Sequence, residues 1–133
     1  MPASTRTAAE AAAAIGCAVA QIAKSIVFRD CETGLPVIVI ASGGSRVDTE
    51  QLGRLAGTRI GTADADFVHQ RTGYAIGGVP PFGHKSVVTT FIDDDLFACD
   101  RVWAAAGGPF SVFETTAQQL LEQTGGTRAP IKA

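Results

Sequence analysis

Surplus positive charge is the first thing missing from this chain. Eleven Lys and Arg stand against thirteen Asp and Glu, for a net charge of −2 and a pI of about 5.6. That balance argues against a protein that grips nucleic acid through a broad basic surface, though not against one that handles only a terminal nucleotide. Aromatics are few, and the apolar content leans on Ala, Val and Ile. Cysteine is scarce and scattered: Cys17, Cys31 and Cys99 match no zinc or redox spacing. An odd number of them fits a reducing compartment, each as a small semi-buried side chain. Met1-Pro2-Ala3-Ser4-Thr5-Arg6 lacks the cationic-then-apolar export pattern, and the Ala-rich run 8–15 is far too short to cross a bilayer. These absences point to the cytoplasm, with no membrane and no DNA as partner. The two histidines, His69 and His84, complete no Ser-His-Asp or Cys-His set, and no cluster has metal-ligand spacing. No cofactor and no metal are called for, and an enzyme built on this chain works without an obvious protein general base.

What is present fits one domain over residues 1–133, since a chain of this size buries roughly two-thirds of its unfolded surface. Thr7-Ala8-Ala9-Glu10 is a capping box that opens a helix, and Gly16 stops it. Gln21–Arg29 reads as a strand. Leu35–Ala41 is a continuous apolar run, as in a strand covered on both faces, and Ser42-Gly43-Gly44-Ser45 ends it as a turn. Asp48 caps a helix closed by Gly57, a short strand follows at Thr58–Gly61, and Asp64 caps a third helix, Ala65–Thr72. Val87–Ile92 is a strand with Asp93-Asp94-Asp95 as its solvated turn. Arg101–Ala106 and Phe110–Thr115 pair around Gly107-Gly108-Pro109, and Thr116 caps a last helix ending at Gly125, before a polar, frayed tail. Strands segregated late in the chain favour an α+β fold with a mixed sheet over repeated βαβ units.

The most informative single residue lies in the first strand. Alternation puts Ile22, Lys24, Ile26 and Phe28 on one face and Ala23, Ser25 and Val27 on the other. Lys24 therefore sits in the middle of the more apolar row. One reading is an edge strand whose lysine reaches water, a device against aggregation. The other is a cation at the floor of a site that binds an anion or a carbonyl.

A second segment is Gly77-Gly78-Val79-Pro80-Pro81-Phe82-Gly83. Its glycines allow close backbone approach, and its two prolines remove two donors and stiffen the chain. The amides left, those of Gly77, Gly78 and Val79, form either an array suited to an oxyanion or part of an ordinary surface turn. No Gly-Lys-Ser/Thr follows, so it is not a P-loop, nor is it a dinucleotide fingerprint. His84, just beyond, has a site role and a structural role equally open to it.

Together these segments resemble the YbaK/EbsC family, in the superfamily of the prolyl-tRNA synthetase editing domain. The resemblance rests on 21–28 (Gln-Ile-Ala-Lys-Ser-Ile-Val-Phe), 63–68 (Ala-Asp-Ala-Asp-Phe-Val), 72–84 (Thr-Gly-Tyr-Ala-Ile-Gly-Gly-Val-Pro-Pro-Phe-Gly-His), 102–109 (Val-Trp-Ala-Ala-Ala-Gly-Gly-Pro) and the closing 116–125 helix, and it spans about Thr5 to Gly126. It implies a curled, partly barrel-like mixed sheet with flanking helices. It also implies a trans-editing aminoacyl-tRNA deacylase, a carboxylic ester hydrolase acting on mischarged tRNA, either tRNA(Pro) or a related tRNA bearing a small amino acid. The implied partners are the aminoacyl-tRNA 3′ end and an aminoacyl-tRNA synthetase. The implied catalytic groups are Lys24, Gly77, Gly78 and Val79. Substrate binding falls to Ile76, Pro80, Pro81, Phe82, His84, Gly107 and Gly108. Two departures stand out. The family's usual first helix and strand are missing ahead of Thr5-Arg6-Thr7, and Ala106 and Phe113 occupy places where the cysteinyl-tRNA deacylases carry Ser and an acidic residue. The competing readings are a non-catalytic module that binds a tRNA end or a synthetase, and a hydrolase of small esters.

Overall fold

The continuous apolar run becomes a central strand, β2 (Pro36–Ser42), with every residue buried, as coverage on both faces requires. On one side lies β1 (Ile22–Asp30), antiparallel to it from Ala23↔Ser42 to Arg29↔Pro36. On the other lies β4 (Thr89–Asp93), parallel to it. This computed structural model describes residues 8–72, 89–105 and 112–131. The far edge of β1 is shared. β5 (Val102–Ala105) runs parallel to its first residues, and β3 (Ile60–Thr62) runs antiparallel to its last. β6 (Val112–Thr115) extends the sheet beyond β5, and β7 (Thr127–Ala129) extends it beyond β4. The order β6-β5-β1-β2-β4-β7, with β3 beside β1, is a mixed sheet that curls and, among the described residues, does not close. Helices α1 (Ala8–Ile15), α2 (Thr49–Ala56), α3 (Ala65–Thr72) and α4 (Ala117–Thr124) flank it. The fold class is the α+β arrangement expected from the sequence.

Alternation along β1 and β2 sorts the core into two layers. Ala23, Val27, Ile38 and Ile40 pack with Val68 of α3, Leu120 of α4 and Leu96. Ile26 and Phe28 point the other way, with Val37, Val39 and Ala41, toward Leu52 of α2. Leu52 is fully buried, and such burial stabilises by about 1.5–3 kcal/mol. At the start of β1 a smaller cluster joins Ile22 to Ala12 and Ile15 of α1 and to Trp103 of β5. α2 lies close to the following segment because residue 53 is glycine. A Cβ there would stand 2.9 Å from the Thr58 carbonyl oxygen.

The helix signals act locally, as the sequence indicates. The Asp48 carboxylate accepts from the Glu50 and Gln51 amides, and Gly57 closes α2 at φ 72°. Asp64 Oδ1 accepts from the Phe67 amide at 2.8 Å. Thr116 Oγ1 accepts from the Gln119 amide at 3.1 Å, with Gly125 at φ 64°. Among the described residues no helix is long and apolar enough to cross a membrane.

Four expectations need correction. The tail is not frayed: β7 pairs with β4, Ile131 is fully buried, and its carbonyl accepts from the Asp48 amide at 2.9 Å. Ala129 and Ile131 alternate inward, which is what secures it. The acidic run is not a solvated turn. Asp93 is 1% exposed, and its carboxylate takes the Ser42 amide at 3.0 Å on Oδ2 and the Asp95 amide at 2.9 Å on Oδ1. The end of a buried strand leaves donors that need an acceptor, and Asp93 supplies it. Residues 94–98 form a 3₁₀ turn. Cys31 is exposed rather than semi-buried, while Cys17 and Cys99 are partly buried and all three are free. Finally, β1 is not an edge strand, which bears directly on Lys24.

Candidate active site

Lys24 is placed by β1, with neighbours on both sides of the strand. Its register partner on β2 is Ala41, fully buried. An alanine across from a lysine leaves volume for the long stem. Along its face Lys24 lies between the Ile22–Trp103 cluster under α1 and the Ile26–Phe28 cluster under α2. It is half-buried and has no ion-pair partner among the described residues. β5 and β3 cover both ends of the β1 edge away from β2, while Lys24 itself has no strand partner there among the described residues. A half-buried ammonium without a carboxylate is available to an anion or a polarised carbonyl. At about 4 Å and an effective dielectric near 20, such an attraction is worth about 4 kcal/mol.

β5 pairs with Ile22 and Ala23, and β3 starts at Phe28, so Lys24–Val27 have no strand partner on that edge among the described residues. The Ile22 carbonyl bonds the Gly43 amide and the Asp30 amide bonds the Leu35 carbonyl. Antiparallel alternation therefore turns the main-chain groups of Ser25 and Val27 away from β2, toward that edge. The Ser25 side chain lies on the opposite face from Lys24, as expected, and its hydroxyl is buried without a hydrogen-bond partner.

Register also brings up residues that the sequence did not single out. Ile22↔Trp103 and Trp103↔Glu114 put Trp103 and Glu114 on the Lys24 face. Glu114 pairs with Arg101 at 3.6 Å, both well exposed, a contact worth about 0–1 kcal/mol. Phe113 packs into the opposite core. Strand alternation is legible in sequence, but the pairing that aligns three strands is not.

Of the expected site residues, Lys24 alone lies among those described. Ile76, Gly77, Gly78, Val79, Pro80, Pro81, Phe82, His84, Gly107 and Gly108 lie outside them, as does Ala106. Ala104, near the described end of β5, pairs with Ala23.

A curled mixed sheet with flanking helices and, among the described residues, a half-buried lysine without an ion-pair partner on β1 defines the fold as α+β. Known proteins make the class definite. The family model of the aminoacyl-tRNA editing domain matches residues 2–122. The "Uncharacterized protein YwhH" of Bacillus subtilis (strain 168) is 31% identical over 119 residues, covering 90% of this chain and 75% of that one. The crystal structure of a candidate trans-editing enzyme for prolyl tRNA synthetase is 43% identical with a TM-score of 0.93, covering 100% of this chain and 83% of that one. Hypothetical protein APE2540 is 31% identical with a TM-score of 0.92, over 100% of this chain and 88% of the other. The chain belongs to the aminoacyl-tRNA editing domain family.

Proposed function

We propose that this protein is a trans-editing deacylase that hydrolyses the ester between a small, wrongly attached amino acid and the terminal ribose of tRNA(Pro) or a related tRNA. The observation that carries the reading is Lys24, a half-buried cation without a carboxylate partner among the described residues, on an interior strand of an aminoacyl-tRNA editing domain. The resemblance of the chain to a candidate trans-editing enzyme for prolyl tRNA synthetase supports the choice of tRNA.

An aminoacyl ester is already activated, so modest help suffices. Water adds to the carbonyl carbon, negative charge collects on the carbonyl oxygen, and the bond to the ribose oxygen breaks. That oxygen takes a proton, and free amino acid and tRNA leave. The amides of Gly77, Gly78 and Val79 receive the developing oxyanion. Lys24 supplies positive charge toward that oxygen or the terminal phosphate. The vicinal ribose hydroxyl orients the attacking water, which accounts for the absence of a dedicated base. Ile76, Pro80, Pro81 and Phe82 wall the side-chain pocket, with His84, Gly107 and Gly108 on the substrate. Pocket size sets selectivity, weakly for one methylene and strongly where polar groups must pair.

The test is release of label from a panel of mischarged tRNAs by the wild type and by Lys24→Ala. We expect turnover on at least one tRNA(Pro) carrying a small non-cognate residue. The variant should lose about 100-fold or more in kcat/KM, the scale of one lost oxyanion-type contact. Its melting temperature should stay within about 2 °C, because no partner among the described residues is orphaned. Full activity in the variant removes Lys24 from the mechanism. Tight tRNA binding without release would make the protein a binding module.

A further inference from the structure

Six arginines have described side chains, and their partners divide them. Arg101 pairs with Glu114, Arg128 pairs with Asp94 and stacks over Phe97, and Arg29 lies over the Phe67 ring. Arg46, Arg54 and Arg59 have no carboxylate partner among the described residues, and all three fall within the short segment around α2. Two of them, Arg54 and Arg59, line one open groove of about 490 Å³ between α2 and the start of β3, together with Glu50 and Thr58. Both arginines are exposed. Gly53 makes the groove floor by letting α2 approach the Thr58 carbonyl. Gln51 Oε1 accepts from Arg54 Nε and Nη2 at 3.3 and 2.8 Å, which orients the guanidinium and leaves further N–H groups open.

The groove shares a sheet face with Lys24. Ile60, at its rim, packs with Ile26, Phe28 and Leu52 on that face. Ile60 also pairs with Asp30, six residues along β1 from Lys24, a separation of about 20 Å. Phosphates along one nucleic-acid strand rise about 3.4 Å per step, so this span takes in roughly six. In a protein of net charge −2, two arginines without a carboxylate partner among the described residues, Arg54 and Arg59, thus line a groove on the Lys24 face, about 20 Å along β1 from the lysine.

We propose that the Arg54–Arg59 groove is a phosphate-backbone subsite that holds the acceptor end of the tRNA a few nucleotides from the esterified ribose. It rests on the deacylase reading above for the position of the ribose. Glu50, at the same groove, opposes phosphate binding and limits affinity, which suits an enzyme that must release its product.

The experiment compares wild type, Arg54→Ala/Arg59→Ala and Glu50→Gln on two substrates, a full mischarged tRNA and the corresponding aminoacyl-adenosine ester. Filter binding of uncharged tRNA across a salt series runs alongside. The double variant should raise KM for the tRNA about tenfold with kcat unchanged, and leave the short ester untouched. Its log–log salt slope should shrink by about 1.5, as for two lost phosphate contacts. Glu50→Gln should move tRNA binding the opposite way, about twofold tighter. Unchanged tRNA binding in the double variant, or an equal loss on both substrates, overturns the proposal, as does wild type that binds no tRNA. If wild type binds tRNA but deacylates nothing, the deacylase reading fails and the binding series still decides the groove.

Discussion

Replacing Asp93 separates a buried acceptor from a solvated charge. Its two carboxylate oxygens each take one main-chain amide, from Ser42 and from Asp95. The Ser42 bond is fully buried and the Asp95 bond only partly so. Asp93→Asn keeps one acceptor oxygen, which turns toward Ser42, and presents its side-chain amide to the Asp95 N–H, donor against donor. That leaves one partly hydrated N–H unpaired, at about 1–2 kcal/mol. Asp93→Ala orphans the buried Ser42 N–H as well and leaves a void, for about 3–4 kcal/mol in all. For a chain of this length those costs lower the melting temperature by roughly 3–7 °C and 10–14 °C. Calorimetry, with urea unfolding as a check on two-state behaviour, measures both. The consequence reaches the site, because the Ser42 hydroxyl donates to the Ala20 carbonyl at 2.8 Å and so ties down the turn from which β1 starts toward Lys24. If both variants cost under about 1 kcal/mol, or cost the same, the carboxylate is not bridging two donors and the account of this strand end is wrong.

Two further outcomes are expected. Ser25→Ala removes a hydroxyl that is buried without a partner, so unfolding should show a gain of about 1 kcal/mol, and a loss of that size would mean the hydroxyl has a partner after all. Asp30 is held below its usual pKa by the Glu32 amide, then by the Thr58 hydroxyl and the Thr33 amide. A depressed folded pKa gives stability that is present above the unfolded value, near 4, and is lost as pH falls through the folded value. The stability gap between wild type and Asp30→Asn should therefore be constant at neutral pH and narrow in acid, and a gap indifferent to pH refutes it.

What the sequence discloses and what it withholds follow from the range of each interaction. The caps at Asp48, Asp64 and Thr116 each bond an amide two or three residues on, so short motifs suffice to find them. The faces of β1 are equally legible, because alternation needs only the strand itself. Asp93 eludes such reading because its decisive donor, Ser42, is 51 residues away, and three aspartates in a row look alike until one is buried. The tail eludes it for the same reason: Ala129 and Ile131 are too few to announce a strand, and only parallel pairing with β4 makes them core. Lys24 stands between these cases. Its apolar row is visible, but whether the row ends in water or in a site depends on what lies across the strand edge. β5 comes from about 80 residues downstream and β3 from beyond α2, and together they pair both ends of an apparent edge while, among the described residues, leaving Lys24–Val27 without a strand partner there. The proposed role, to meet a ligand's charge, draws on what the described residues supply: apolar neighbours to hold the stem, no strand partner beside Lys24–Val27, and no carboxylate against the ammonium.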